Sequence, residues 1–97
     1  MAATTGLLTA VGPGDPFRLD FNSIQFNASL WGTFLGTVRL ARSFDNGATF
    51  LPLTALGTAI NFTGPCTETF EEYEDGIIYR WECTSYTSGT INYRISQ

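Results

Sequence analysis

The sequence has no histidine and no lysine, only two cysteines and one methionine, and charged residues make up 14% of its 97 positions. Each shortage removes a class of function. Without histidine there is no imidazole base, Ser43 and the other hydroxyls have no activating partner in a recognisable motif, and no glycine-rich phosphate loop precedes a helix. A glycosidase-like pair drawn from Asp20, Asp45 and Glu82 would need a deep cleft, which a chain this short rarely builds. The expectation is no enzyme and no cofactor. The five basic residues are all arginine (Arg18, Arg39, Arg42, Arg80 and Arg94), scattered over five stretches against nine acids, for a net charge of -4. Nucleic-acid binding needs a basic footprint for phosphate contact, so that partner class is set aside.

Long apolar runs are missing too. Nothing approaches the roughly 20 apolar residues of a membrane helix. Met1 to Ala10 lacks the basic start and apolar core of a signal peptide, so synthesis in the cytoplasm without membrane contact is expected. Cys66 and Cys83 could form one disulfide, but a cytoplasmic origin favours thiols. With no histidine and no second cysteine pair they fall short of a structural zinc site, and buried thiols are the reading that follows. The acidic run Glu68, Glu71, Glu72, Glu74 and Asp75 has the oxygens a calcium ion wants, but its spacing along a strand and turn reads as a solvated edge that discourages aggregation. No metal is expected.

What is present is an apolar and aromatic inventory, 43% hydrophobic and 14% aromatic, sufficient for one globular core. No stretch carries apolar residues at helical spacing, while β-branched and aromatic residues dominate. Strand-like runs lie at Leu7–Val11, Phe17–Phe21, Ile24–Leu30, Phe34–Phe44, Thr49–Thr54, Ala59–Thr63, Thr67–Glu71, Ile77–Tyr86 and Thr90–Ile95. Turn signals separate them, among them Gly12-Pro13-Gly14-Asp15-Pro16, Asp45-Asn46-Gly47 and Ser88-Gly89. The fold class is all-β, an antiparallel two-sheet sandwich, immunoglobulin-like or jelly-roll-like, of seven to nine short strands without a major helix. Residues 17–97 form the sandwich. Residues 1–16 are either an ordinary edge strand or an arm that pairs with a neighbouring subunit's sheet edge, since the proline and glycine cluster interrupts the ladder.

Two segments stand out. In Ile77 to Cys83 alternation puts Ile77, Tyr79, Trp81 and Cys83 on the core face, with Ile78, Arg80 and Glu82 opposite. The spacing of Asp75 and Tyr79 is similar to that of the immunoglobulin penultimate strand, but Trp81 stands where that family has cysteine. In Ser43-Phe44-Asp45-Asn46-Gly47-Ala48-Thr49-Phe50, Asp45 can accept backbone N–H groups across a turn, Gly47 supplies a positive φ, and Phe50 is expected to return an aromatic to the core. Ser43, Asp45, Gly47, Thr49 and Phe50 together resemble the Asp-box of sialidase propellers and other β proteins, with Phe in place of the usual Trp. The resemblance implies a structural hairpin and no catalysis.

A wider resemblance covers Leu30 to Gln97. The strand Trp31-Gly32-Thr33-Phe34-Leu35-Gly36-Thr37-Val38, the Ser43–Phe50 hairpin and the ending Tyr86-Thr87-Ser88-Gly89-Thr90-Ile91-Asn92-Tyr93-Arg94 look like a group of short β-sandwich proteins encoded by tailed bacteriophages and prophages. That resemblance implies a virion structural protein, above all a capsid decoration or cement protein. Its partners would be the major capsid protein and copies of itself, as dimer or trimer. A head-to-tail or tail accessory protein is the first alternative. A glycan-binding or host-adhesion module is the second, with Trp31, Tyr73, Tyr86 and Tyr93 as a stacking platform. The interface candidates are Leu7, Leu8 and Val11 on the N-terminal segment and Phe17, Trp31 and Phe34, because Phe17, Phe21, Phe26, Trp31 and Phe34 are more aromatics than one sheet face easily buries.

Overall fold

Runs that alternate apolar and polar side chains have one stable outcome, strands whose apolar faces are buried against a second sheet. The computed structural model describes residues 2–20 and 24–97, and these are all-β. In chain order the strands are β1 (Ala3–Leu8), β2 (Gly12–Pro13), β3 (Phe17–Arg18), β4 (Gln25–Trp31), β5 (Phe34–Ser43), β6 (Leu51–Pro52), β7 (Thr54–Ala55), β8 (Thr58–Ala59), β9 (Asn61–Phe62), β10 (Cys66–Glu71), β11 (Ile78–Gly89) and β12 (Ile91–Ser96). The number exceeds the expected seven to nine because six of these are two-residue bridges, two of which end at Pro13 and Pro52, where proline cannot continue a ladder. Each expected run overlaps a strand. The largest shift is at the N-terminus, where the strand is Ala3–Leu8 rather than Leu7–Val11. Phe21 lies outside the described residues.

Sheet A has the order β1-β12-β4-β10. Sheet B has the order β2-β11-β5-β6, with β3 also on β11 and β9 also on β5, while β7 and β8 pair separately. The pairings are antiparallel and nested: β1 with β12, β2 and β3 with β11, β4 with β10, β5 with β6 and β9. The chain is therefore a long two-stranded ribbon, tipped by the turn after Ser43 and wrapped over itself. That is the jelly-roll arrangement, not the immunoglobulin one.

The ribbon passes between sheets at a double corner. Gly32-Thr33 leads from β4 to β5, Gly89-Thr90 leads from β11 to β12, and the Thr90 N–H donates to the Thr33 carbonyl at 3.1 Å. Gly89 has φ 95° and Gly32 φ 106°. A Cβ on Gly89 would lie 2.2 Å from the Thr33 oxygen, and one on Gly32 would lie 2.7 Å from the Thr90 oxygen. The Ser88-Gly89 signal, expected as a turn, is thus the end of β11 where the chain changes sheets.

The core holds Phe26, Ala28 and Leu30 from β4, Val38 and Leu40 from β5, Tyr79, Trp81 and Cys83 from β11, and Ile91, Tyr93 and Ile95 from β12. Ile77 is buried with them, so the odd-numbered residues from 77 to 83 do face inward. Phe62 meets Trp81 edge-on at 5.6 Å, and Phe26 lies 5.4 Å from Phe70 and 4.5 Å from Tyr79. At roughly 1.5–3 kcal/mol for each large apolar side chain taken out of water, this cluster is the main source of stability. Phe17 and Phe34 belong to it, 5% and 8% exposed, which corrects their reading as interface anchors. Two sheet faces bury more aromatics than one.

A salt bridge closes one end of this core. Arg42 pairs with Tyr79 across β5 and β11, and so projects toward the interior. Glu72, just past β10, accepts from Arg42 Nε at 2.5 Å, from Arg42 Nη2 at 3.0 Å, from the Tyr79 hydroxyl at 2.9 Å and from the Glu74 N–H at 3.1 Å. Glu72 is not part of a solvated edge, because only 8% of its side chain is exposed.

Candidate interaction surface

A β-sandwich offers partners its sheet edges and outer faces, and an unpaired edge invites another strand unless something blocks it. Sheet B is blocked on both sides. One border is the broken β2–β3 segment with Pro13 and Pro16, and the other consists of two-residue strands with Pro52. In sheet A, β10 carries Glu68 opposite Ala28, a core residue, so a carboxylate stands on the inward-facing side of the border strand and deters a partner.

The border strand β1, Ala-Thr-Thr-Gly-Leu-Leu, carries neither charge nor proline. The Gln97 N–H donates to the Ala2 carbonyl at 3.0 Å, which fixes the phase of the β1–β12 ladder. Bonded pairs alternate, so Thr4, Gly6 and Leu8 turn their backbone groups toward β12, while Ala3, Thr5 and Leu7 turn theirs outward. The same three residues have exposed side chains. Gly6 is where the Tyr93 ring crosses beneath β1, since a Cβ there would lie 2.4 Å from the Tyr93 oxygen. That oxygen accepts the Asp15 N–H at 2.9 Å and ties the segment after β1 to the core.

The N-terminal segment therefore pairs within its own chain, on sheet A through β1 and on sheet B through β2. Among its candidate residues Leu7 and Val11 are exposed, at 58% and 62%, while Leu8 packs against the core. Trp31 is 43% exposed and flanks a shallow apolar groove of about 400 Å³ with Ser29, Leu30, Pro65, Cys66 and Thr67. Burial pushes the thiols of Cys66 and Cys83 above the ordinary range, and both are free.

The aromatic platform considered for glycans is not assembled. Tyr93 is buried in the core, and Trp31 and Tyr73 lie past opposite ends of the β4–β10 ladder, which is itself about 17 Å long at the strand rise.

The Ser43–Phe50 hairpin forms the ribbon tip. The buried Ser43 hydroxyl donates to Asp45 Oδ1 at 2.8 Å and accepts the Gly47 N–H at 2.9 Å, and Asp45 Oδ1 also accepts the Thr49 N–H at 2.8 Å. Those bonds, from Thr49 first and then Ser43, hold the Asp45 carboxyl below its ordinary range. Phe50 does not return to the core. It lies on the outer face of sheet B, with the Arg80 guanidinium 3.9 Å above its ring, because Arg80 is on the outward face of β11.

That outer face is more covered than alternation suggests. Ile78 is buried beneath the hairpin turn, and Glu82 is held between Arg39 at 2.9 Å and Arg80 at 2.8 Å. Among the described residues no three thiols or carboxylates converge to hold a cation.

Other exposed apolar side chains escaped the sequence reading: Leu35, Phe44, Leu51 and above all Leu56. Leu56 stands fully exposed between β7 and β8 with φ 52°, followed by Gly57 with φ 84°. The Leu-Gly pair between two short β-prone runs was the available signal. Comparison with known proteins finds no matching family model, no matching curated protein and no matching solved structure.

Proposed function

We propose that this chain is a non-enzymatic structural protein of a bacteriophage virion, a decoration protein that binds the major capsid protein and copies of itself and stabilises the shell. The observation that carries the reading is the uncharged open edge of β1, with Leu7 exposed on it, in a sandwich whose other borders are blocked. The jelly-roll arrangement adds support by analogy of fold alone, since this architecture recurs in viral shells but also in lectins. The resemblance of Leu30–Gln97 to short phage-encoded sandwiches points the same way. Such a protein is made in the host cytoplasm and resides in the virion, touching neither nucleic acid nor membrane.

The test is the copy number of the chain relative to the major shell protein in purified particles, by quantitative mass spectrometry. A ratio comparable to the shell protein is expected. A few copies per particle would move the protein to the neck or tail, and absence from particles would end the virion reading.

Leu56 supplies a second handle on the same reading. A bulky residue at positive φ is strained, and here it presents an apolar side chain to solvent. Leu56→Asn is expected to raise the melting temperature by about 4–8 °C, equivalent to about 1 kcal/mol of turn strain, and to weaken co-sedimentation with undecorated shells. Unchanged co-sedimentation would remove Leu56 from the contact.

A further inference from the structure

We infer that β1 pairs antiparallel with β1 of a second copy about a two-fold axis through Thr5, joining two four-stranded sheets into one of eight strands. The inference deepens the proposed function, from which it takes the expectation that copies meet. Ala3, Thr5 and Leu7 carry the outward backbone groups, and in a two-fold ladder centred on Thr5 these are the residues that bond. Thr5 then faces Thr5, and each Leu7 faces Ala3 of the other copy, a large side chain against a small one at both ends. The strand is self-complementary in this register.

Charge selects the same edge. Two chains at -4 repel, and no charged side chain occurs before Asp15, whereas the opposite border of the sheet carries Glu68 and Glu71. A dimer through β10 would set carboxylates against carboxylates, and one through β1 sets none. An edge of six residues is smaller than the standard interface of about 1,600 Å², which places the contact in the weak class that becomes effective when copies are concentrated on a common surface.

The register gives a sharp test on the purified full chain, with Cys66→Ser removing the half-buried thiol. Directly opposed residues of a bonded pair have Cα atoms about 5.5 Å apart, within the span a disulfide bridges. Under mild oxidation Thr5→Cys is expected to cross-link into a dimer in more than half of the chains. Ala3→Cys and Leu7→Cys should each give several-fold less alone and recover when mixed with one another. Sedimentation from about 10 µM to about 1 mM, the range of weak contacts, should show a dimer that Thr5→Pro abolishes. The Thr5 N–H points away from β12, so this proline removes no internal bond, and Thr5→Lys serves as a second variant should it disturb the strand.

Equal cross-linking at positions 3, 5 and 7, or a chain that stays monomeric throughout and gives no Thr5→Cys dimer, would overturn the inference. Neither result bears on the copy number in particles. A monomer present at shell stoichiometry would sink the β1 pairing and leave the decoration reading standing.

Discussion

Gly89→Ala is expected to cost the protein about 2–6 kcal/mol, a large share of a small domain's stability. Two terms add. A non-glycine residue held at φ 95° bears a strain of roughly 1–3 kcal/mol, and forcing its Cβ against the Thr33 carbonyl, 2.2 Å away, adds roughly 1–3 kcal/mol of overpacking. The neighbouring backbone has no slack, because Thr33 belongs to the other strand of the corner and its oxygen already accepts the Thr90 N–H. In circular dichroism the variant should melt at least about 8 °C below the parent, or fail to fold. Gly57→Ala is the control, with φ 84° but open space around the new methyl group, so it carries the strain without the collision. Equal losses in the two variants would show that the corner is not tightly packed.

The second large effect is electrostatic and appears on acidification. Burial opposes charge on Glu72, but the hydrogen bonds from Arg42, the Glu74 N–H and Tyr79, with the Arg42 charge, outweigh it and hold the carboxyl at about 2, against an ordinary 4.5. The folded value lies below the unfolded one, so the contribution is complete above about pH 5 and is lost as pH falls from there toward 2. Because Arg42 keeps a quarter of its side chain in solvent, screening reduces the contribution to about 2 kcal/mol. Glu72→Gln, which strands the guanidinium at the end of the core, should lower stability at pH 7 by about 2–3 kcal/mol. It should also flatten the decline between pH 5 and pH 2. Denaturant titrations at a series of pH values read both effects, and parallel decline of parent and variant would refute the assignment.

The Trp31–Val38 and Tyr86–Arg94 motifs acquire a physical reason in the structure. Each contains a Gly-Thr pair, Gly32-Thr33 and Gly89-Thr90, and the two pairs lie against one another where the ribbon changes sheets. Gly89 was legible as a break but not as a corner, since a hairpin turn and a sheet switch ask for the same backbone freedom, and Gly32 was read only as part of a strand motif. The inward face of β11 was legible because alternation is a local property. The burial of Ile78 and Glu82 was not, because the hairpin turn and two arginines cover the second face, and period-2 reasoning cannot see what lands on it. Phe17 and Phe34 were read as interface anchors for a different reason, because the aromatics were weighed against one sheet face whereas the faces of two sheets share the core. The open edge fell outside the Leu7–Val11 reading because Ala3, Thr4 and Thr5 become a strand only by pairing with β12, almost the whole chain away.

The nested ribbon also bears on how the chain finds its fold. Between the Arg42–Leu51 pair near the tip and the Ala3–Ser96 pair at the far end, sequence separation grows about tenfold, and closing the longer loop directly costs about 2 kcal/mol more entropy. Closure that starts at the Ser43–Phe50 turn avoids most of that cost, because each completed pair brings the next two segments close before they must meet. Zipped in this order, β1 is the last strand to gain its ladder and the first to fray.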